Sequence, residues 1–195
     1  MNSVLKILEK HRWLIACTLY LLTISIRLVG ITTHPLQTDE HHWVHRSSKV
    51  LTLFKSDPLN ATTHLGHPGV PAALVMAAGE LAGKGWNKIL GESTGDYFYL
   101  DGFSSTRIAN VVFSSLITPL IFLSLSNLFG ALPLLVCCLF ISLGAYHIFL
   151  SRLAHIDTIQ TVIVTATIIA FFYSVERQSL LLKLLAGFLW GLQSP

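Results

Sequence analysis

Two neighbouring carboxylates and two neighbouring imidazoles stand together in the segment Thr38-Asp39-Glu40-His41-His42-Trp43. The segment follows the first strongly apolar stretch of the chain, where a membrane-spanning helix would meet water again. Titratable groups are costly to place beside a membrane, so such a cluster is a functional candidate by default. A carboxylate at this position can act as a general base on an acceptor hydroxyl. We predict that role for Asp39.

Further polar groups are predicted to share the same side of the membrane. They are His64-Leu65-Gly66-His67-Pro68-Gly69, the stretch 152–157, and Arg107 at the mouth of the second apolar segment. Arginines can bind a phosphate bidentately and stabilise it as a leaving group. The chain has neither a GxGxxG nor a GxxxxGK[ST] pattern for a soluble nucleotide. These groups therefore favour transfer to a hydroxyl from a phosphate donor that is embedded in the membrane.

The composition predicts a membrane protein. Of the 195 residues 52% are apolar and 12% are charged, and the mean hydropathy is +0.63. Soluble domains carry about 25% charged residues. The formal charge of +3 is modest and the basic residues form no run, which argues against a nucleic-acid partner.

Hydropathy predicts an all-α bundle with about five spans and a long first loop on the outer side. Residues 1–12 are basic and are predicted to be cytoplasmic, because positive flanks stay inside. The first span is predicted over 13–31, and residues 32–104 form the outer loop, which holds seven of the ten acids and six of the nine histidines. Residues 105–195 hold the second to fifth spans, over 106–128, 131–150, 158–173 and 180–192.

The outer loop is predicted to carry helices of its own. Apolar residues at helical spacing predict one helix over 41–54. The apolar stretch 70–78 is too short to span, and Glu80, Lys84 and Lys88 follow it at spacings of four, which predicts a helix along the membrane surface. The final apolar stretch contains about 13 residues, fewer than the roughly 20 that a span needs. We therefore expect the chain to be the N-terminal portion of a longer enzyme.

The order of these features resembles that of GT-C glycosyltransferases. The matching features are a first span, an outer Asp-Glu pair, a surface helix, a His-Pro-Gly-Val element, an Arg-initiated second span ending Leu-Phe-Gly, and an outer Ser-Arg-x-Ala-x-x-Asp loop. The most similar group contains the protein O-mannosyltransferases and the bacterial aminoarabinose-type lipid A transferases. Gly69 departs from the pattern, because many members carry a second proline there.

The resemblance implies an inverting glycosyltransferase that takes its sugar from a polyprenyl-phosphate or dolichyl-phosphate donor. The acceptor, a hydroxyl or phosphate on a protein, lipid or glycan, would be met on the outer face of a bacterial or archaeal plasma membrane. The resemblance also implies roles for six residues. They are Asp39 as catalytic base, Glu40 as its acidic neighbour, His67 near donor or acceptor, Arg107 as a phosphate contact, Arg152 in the outer loop, and Asp157 as that loop's aspartate.

Other interpretations stay open at this point. Asp39 and Glu40 also suit an ordinary helix start, where acids favour the helix dipole, and Arg152 with Asp157 suits a structural ion pair. The histidine-rich loop suits a divalent metal held by Glu40, His41 and His42, either assisting the enzyme or in a non-catalytic membrane protein. An inactive remnant of the enzyme is a further alternative.

Overall fold

A computed structural model describes residues 8–33, 35–56, 69–91 and 99–193. These residues form helices and no strand, which confirms the all-α prediction for the described part of the chain. A π-helical turn, Asn87–Gly91, follows the third helix. The helices are α1 Arg12–Leu28, α2 Thr38–Ser56, α3 Val70–Trp86, α4 Gly102–Ser114, α5 Ile117–Phe129, α6 Ala131–Leu143, α7 Ala145–Ser151, α8 Ile156–Glu176 and α9 Leu180–Gly191.

In the part of the chain that the structure describes, two helical stretches are long and apolar enough to cross a membrane. They are the α4–α5 stretch Gly102–Phe129, of 28 residues, and α8, of 21 residues; the bent pair α6–α7 makes a third if it counts as one span. Large apolar side chains such as Phe140, Phe171 and Leu181 are exposed on α6, α8 and α9. Such exposure is unfavourable in water, and it is compatible with a membrane protein. The count of five spans stays a prediction.

The third predicted span, over 131–150, is not continuous. Gly144 has φ −62° and ψ 116°, an extended conformation that ends α6, and α7 leaves at 57° to it. The hydropathy of the segment is uniform and gives no sign of a single-residue break. The bend turns Tyr146 and His147 of α7 into the wall of a cavity described below.

Helix α2 begins inside the acidic motif, so Asp39 and Glu40 both lie in its first turn. The helix predicted over 41–54 is thus present in a longer form. An acid in the first turn is favoured by the helix dipole. Neighbouring residues on a helix project in different directions, which gives the two carboxylates different surroundings.

Helix α3 packs closely between α2 and α4. A Cβ on Gly79 would lie 2.4 Å from Ala109 Cβ, and one on Gly83 would lie 2.0 Å from Ser105 Oγ. Small residues therefore set this close approach. On the other side, Glu80 is buried and accepts hydrogen bonds from Ser48 and Lys84. Helix α3 is longer than the predicted stretch 70–78, and its position along a membrane surface stays a prediction.

Besides a small cluster of α2 and α3 around Val50, two apolar clusters hold the described part of the bundle together. One joins α1, α5 and α6 around Phe122 and Cys138, next to a buried hydroxyl contact between Thr23 and Ser142 of 2.8 Å. The other packs α3 against α8, and the half-buried Trp43 of α2 lies against it. The second cluster brings the start of α2 to the start of α8, where the candidate site residues lie.

Candidate active site

Glu40 is the centre of a buried polar contact that we call the Glu40 junction, formed by Glu40, Arg107, and the backbone of Gln37 and Ala154. Arg107 Nε donates to Glu40 Oε1 at 2.8 Å, and Arg107 Nη2 donates to Oε2 at 2.6 Å. The amides of Ala154 and Gln37 donate to Oε1 and Oε2 at 2.8 and 2.9 Å. The carboxylate thus accepts four hydrogen bonds, and it joins α2, α4 and the connection between α7 and α8.

Arg107 is 2% exposed, and its guanidinium is engaged on several sides. Besides Glu40, it donates from Nη1 to Ile31 O at 3.2 Å and from Nη2 to Pro35 O at 3.3 Å. These bonds fix the segment between α1 and α2. The side chain predicted to bind phosphate therefore serves here to hold Glu40 and the backbone.

The pKa of Glu40 is lowered in the folded protein. Burial alone would raise this pKa, but the hydrogen bonds from Arg107, Ala154 and Gln37 and the charge of Arg107 outweigh that effect. Glu40 is therefore ionised at neutral pH with all its acceptor positions filled. It can act as a metal ligand only by giving up part of this bonding.

The two histidines that were predicted to bind a metal together with Glu40 lie outside the buried Glu40 junction. His41 and His42 are exposed, and the His41 ring lies edge-on to Phe103 with centroids 5.0 Å apart. Within the described ranges, no group of three or more His, Cys, Asp or Glu side chains is arranged to hold a metal ion.

The surroundings of Asp39 differ from those of Glu40. The Asp39 side chain is exposed, and it makes no hydrogen bond or ion pair with any described residue. Its backbone nevertheless belongs to the helical turn that Glu40 anchors. The backbone that carries Asp39 is thus anchored through Glu40, whereas the Asp39 carboxylate itself is exposed.

The connection between α7 and α8 is held from two directions. Arg152 donates from Nε to Arg27 O at 3.1 Å and from Nη2 to Ile26 O at 3.2 Å, closing the last turn of α1. Buried Asn110 donates to Leu153 O and accepts from Thr158 Oγ1 at 3.0 Å. Sequence reasoning missed Asn110, although an amide inside an apolar span is itself a signal of a polar contact.

Asp157 lies beside His155 rather than Arg152, so the structural Arg152–Asp157 ion pair, one of the two interpretations left open above, is not found. His155 Nδ1 lies 3.2 Å from Asp157 Oδ2 and 3.4 Å from the amide nitrogen of Asp157. One ring nitrogen cannot accept from the amide and donate to the carboxylate at once. Neutral His155 caps α8 by accepting, and protonated His155 forms the ion pair.

A cavity of about 250 Å³ lies among α1, α4, α5, α7 and α8 at the same end of the bundle. We call it the Arg27 cavity. Arg27 is 2% exposed. Its Nη1 donates to Ser114 Oγ at 3.3 Å, and its buried Nε has no hydrogen-bond partner among the described residues. The sequence did contain a signal, because a charge inside an apolar helix is a functional candidate. The cavity is lined by Arg27, Ser114, Ile117, Tyr146, His147, Leu150, Asp157, Thr158 and Thr161.

The structure brings together some predicted site residues and separates others. Glu40 and Arg107 meet at the connection that carries Arg152, whereas Asp157 faces the Arg27 cavity. His67 lies outside the described residues. No family model, no curated protein and no solved structure matches the chain.

Gly69 has a physical reason to differ from proline. Its φ is +113°, whereas the proline ring fixes φ near −65°. A Cβ at this position would also lie 2.6 Å from Ile156 Cδ1 and 3.0 Å from the Trp43 ring. The backbone here therefore requires glycine, and the second proline seen in many GT-C members would not fit this conformation.

Proposed function

We propose that the chain is a GT-C-type inverting glycosyltransferase of about five spans, with its site on the outer membrane face. It would move a sugar from a polyprenyl-phosphate or dolichyl-phosphate carrier to a hydroxyl or phosphate of a protein, lipid or glycan acceptor. The observation that supports this best is Asp39, an exposed carboxylate in a helical turn anchored by the buried Glu40. A general base must be free to accept a proton and must also be held in position.

With a hydroxyl acceptor, the reaction is a single displacement. Asp39 takes the proton of the acceptor hydroxyl while the hydroxyl oxygen forms a bond to the anomeric carbon. The bond from that carbon to the carrier phosphate breaks, and the phosphate oxygen leaves with the electron pair. Attack from the face opposite the phosphate inverts the anomeric centre.

The two predicted phosphate arginines differ in how many donors remain open. The guanidinium of Arg107 donates hydrogen bonds to Glu40 and to backbone carbonyls. Arg152 is half-buried and donates from Nε and Nη2, whereas its Nη1 has no partner among the described residues. In this proposal Arg152 meets the departing phosphate, and Arg107 is a positioning residue that acts through Glu40.

The test is Asp39→Asn in the complete protein, reconstituted in membranes and supplied with a panel of polyprenyl-phosphate hexoses and pentoses. We expect the variant to lose transfer by about 10²–10⁴-fold, which is the usual contribution of a general base. Glu176→Gln is the matched control, because Glu176 is an exposed acid near the end of α8 away from Asp157. Near-normal turnover in a folded Asp39→Asn protein would reject the proposal.

A further inference from the structure

We infer that the Arg27 cavity binds a phosphate-class oxyanion that carries hydroxyl groups, such as a sugar phosphate or a hydroxyl-bearing lipid headgroup. The inference goes beyond the proposed function, because it requires binding but no transfer. None of the motifs in the sequence assigns this site.

The first reason is a buried cation without a counter-charge. Arg27 is 2% exposed, and in the described part of the chain no carboxylate lies within ion-pair distance of it. Within the described ranges, its Nε also has no hydrogen-bond partner. A buried charge is strongly unfavourable unless it is paired or hydrogen-bonded. An anion in the cavity would supply both the missing charge and the missing acceptor.

The second reason is a set of further donors on the same wall. Among the described residues, neither the Tyr146 hydroxyl nor the His147 ring makes a hydrogen bond. The first two turns of α8 also line the cavity, through Thr158 and Thr161. The N-terminal end of a helix carries a partial positive charge that favours anions. The Nε of Arg27 and the polar groups of Tyr146 and His147 therefore line one small space, on α1 and α7. The hydroxyls of Thr158 and Thr161 already donate to protein oxygens.

The volume of the cavity and the carboxylate of Asp157 restrict which ligands the cavity can hold. Pockets for drug-sized ligands measure about 300–1,000 Å³, so a cavity of about 250 Å³ suits a single polar headgroup. Asp157 is the one carboxylate that lines it in the described structure. This carboxylate disfavours a simple anion but accepts hydrogen bonds from hydroxyls. A ligand with a phosphate near Arg27 and hydroxyls near Asp157 can pair with the guanidinium and donate hydrogen bonds to the carboxylate.

The test uses the complete protein in phosphatidylcholine nanodiscs, titrated calorimetrically with glucose 1-phosphate and with inorganic phosphate. We expect both to bind, glucose 1-phosphate more tightly. A second set of nanodiscs contains phosphatidylinositol. Retention of this lipid, displaced by glucose 1-phosphate, identifies a headgroup as the source; glucose 1-phosphate binding without retention identifies a soluble ligand. Absence of binding by every probe at millimolar concentration overturns the inference.

Two variants keep the test decisive. Arg27→Gln should weaken binding of glucose 1-phosphate at least about tenfold, whereas Arg177→Gln, an exposed arginine after α8, should bind as the wild type does. If Arg27→Gln does not fold, Asp157→Asn takes its place; it should bind inorganic phosphate severalfold more tightly, because it removes a like charge. Unchanged affinity in Arg27→Gln, or in Asp157→Asn, contradicts the inference.

The result is also separable from the proposed function. Asp39 does not line the cavity, so Asp39→Asn should keep the wild-type affinity for glucose 1-phosphate while losing transfer. Loss of binding in Arg27→Gln with no transfer activity in any protein would support the site and reject the enzyme.

Discussion

Arg107 and Arg27 are equally buried, at 2% exposure each, yet their surroundings are opposites. Arg107 is bound by both oxygens of Glu40 and by backbone carbonyls. In the described structure, Arg27 donates one side-chain hydrogen bond, to Ser114, and its Nε lies without a partner on the wall of a cavity. A saturated buried charge serves the fold, whereas an unsaturated one is open to a ligand. The degree of pairing, not burial, distinguishes the two regions.

The largest effect is expected from Glu40→Gln. The neutral amide leaves Arg107 buried without its counter-charge, and breaking a buried pair from one side lowers the free energy of unfolding by about 3–5 kcal/mol. The measurement is unfolding by steric trapping in a bilayer or micelle. Glu176→Gln, at an exposed position, should change it by less than about 0.5 kcal/mol. A loss below about 1 kcal/mol for Glu40→Gln would contradict the assignment of the junction.

A double-mutant cycle compares the two regions directly. Glu40→Gln combined with Arg107→Met should show a coupling of about 0.5–3 kcal/mol in the free energy of unfolding, because the two side chains are in contact. Arg27→Met combined with Asp157→Asn should show a coupling below about 0.5 kcal/mol, since the two groups form no ion pair in the described structure. Equal coupling free energies in the two cycles would contradict the difference in pairing between Arg107 and Arg27.

The pH dependence of the free energy of unfolding should also report on the Glu40 junction. Because the pKa of Glu40 is lower in the folded state, its contribution is fully present above the unfolded pKa, about 4.3. It declines as the pH falls below that value and is lost once the pH passes the folded pKa. Each pKa unit between the two states is worth about 1.4 kcal/mol.

The measurement is the free energy of unfolding of the wild type and of Glu40→Gln from pH 7 to pH 3. The advantage of the wild type should shrink on acidification. An advantage that grows as the pH falls would show that the pKa of Glu40 is raised instead.

The smallest effect is expected from Arg27→Met without ligand. The substitution strands no carboxylate and removes an unpaired buried charge, so the free energy of unfolding should change by no more than about 1 kcal/mol, or should rise. The same unfolding measurement checks this. A loss of 3 kcal/mol or more would reveal a structural bond to Arg27 and would make the two arginines alike.

Local patterns in the sequence were enough to predict the helices but not their contacts. Hydropathy predicted a helical stretch near α8, and apolar spacing predicted α2, because both signals lie within about 20 neighbouring residues. The break at Gly144 has no such signal. Glu40 meets Arg107 and Ala154, which are 67 and 114 residues away in the chain. No local pattern specifies partners at that separation.

The same limit explains why the surroundings of the candidate site residues were not predicted. Asp39, the predicted base, and Glu40, its predicted acidic neighbour, are adjacent in sequence, but successive residues on a helix face different directions. One is exposed and the other is buried in the structure. For Arg27, a position near the end of an apolar helix allows the side chain to turn outwards or into the bundle. Only the packing of α1 against α4 decides this, and it makes Arg27 part of a cavity.

The contacts of the Glu40 junction can form only in a fixed order during synthesis of the protein. During synthesis Glu40 leaves the ribosome first, Arg107 follows 67 residues later, and the amide of Ala154 only after 114. Chains emerge at about 5–20 residues per second, so the Glu40 carboxylate spends several seconds without its full set of partners. The start of α2, with Asp39 on it, reaches its final position only when the connection into α8 has been made.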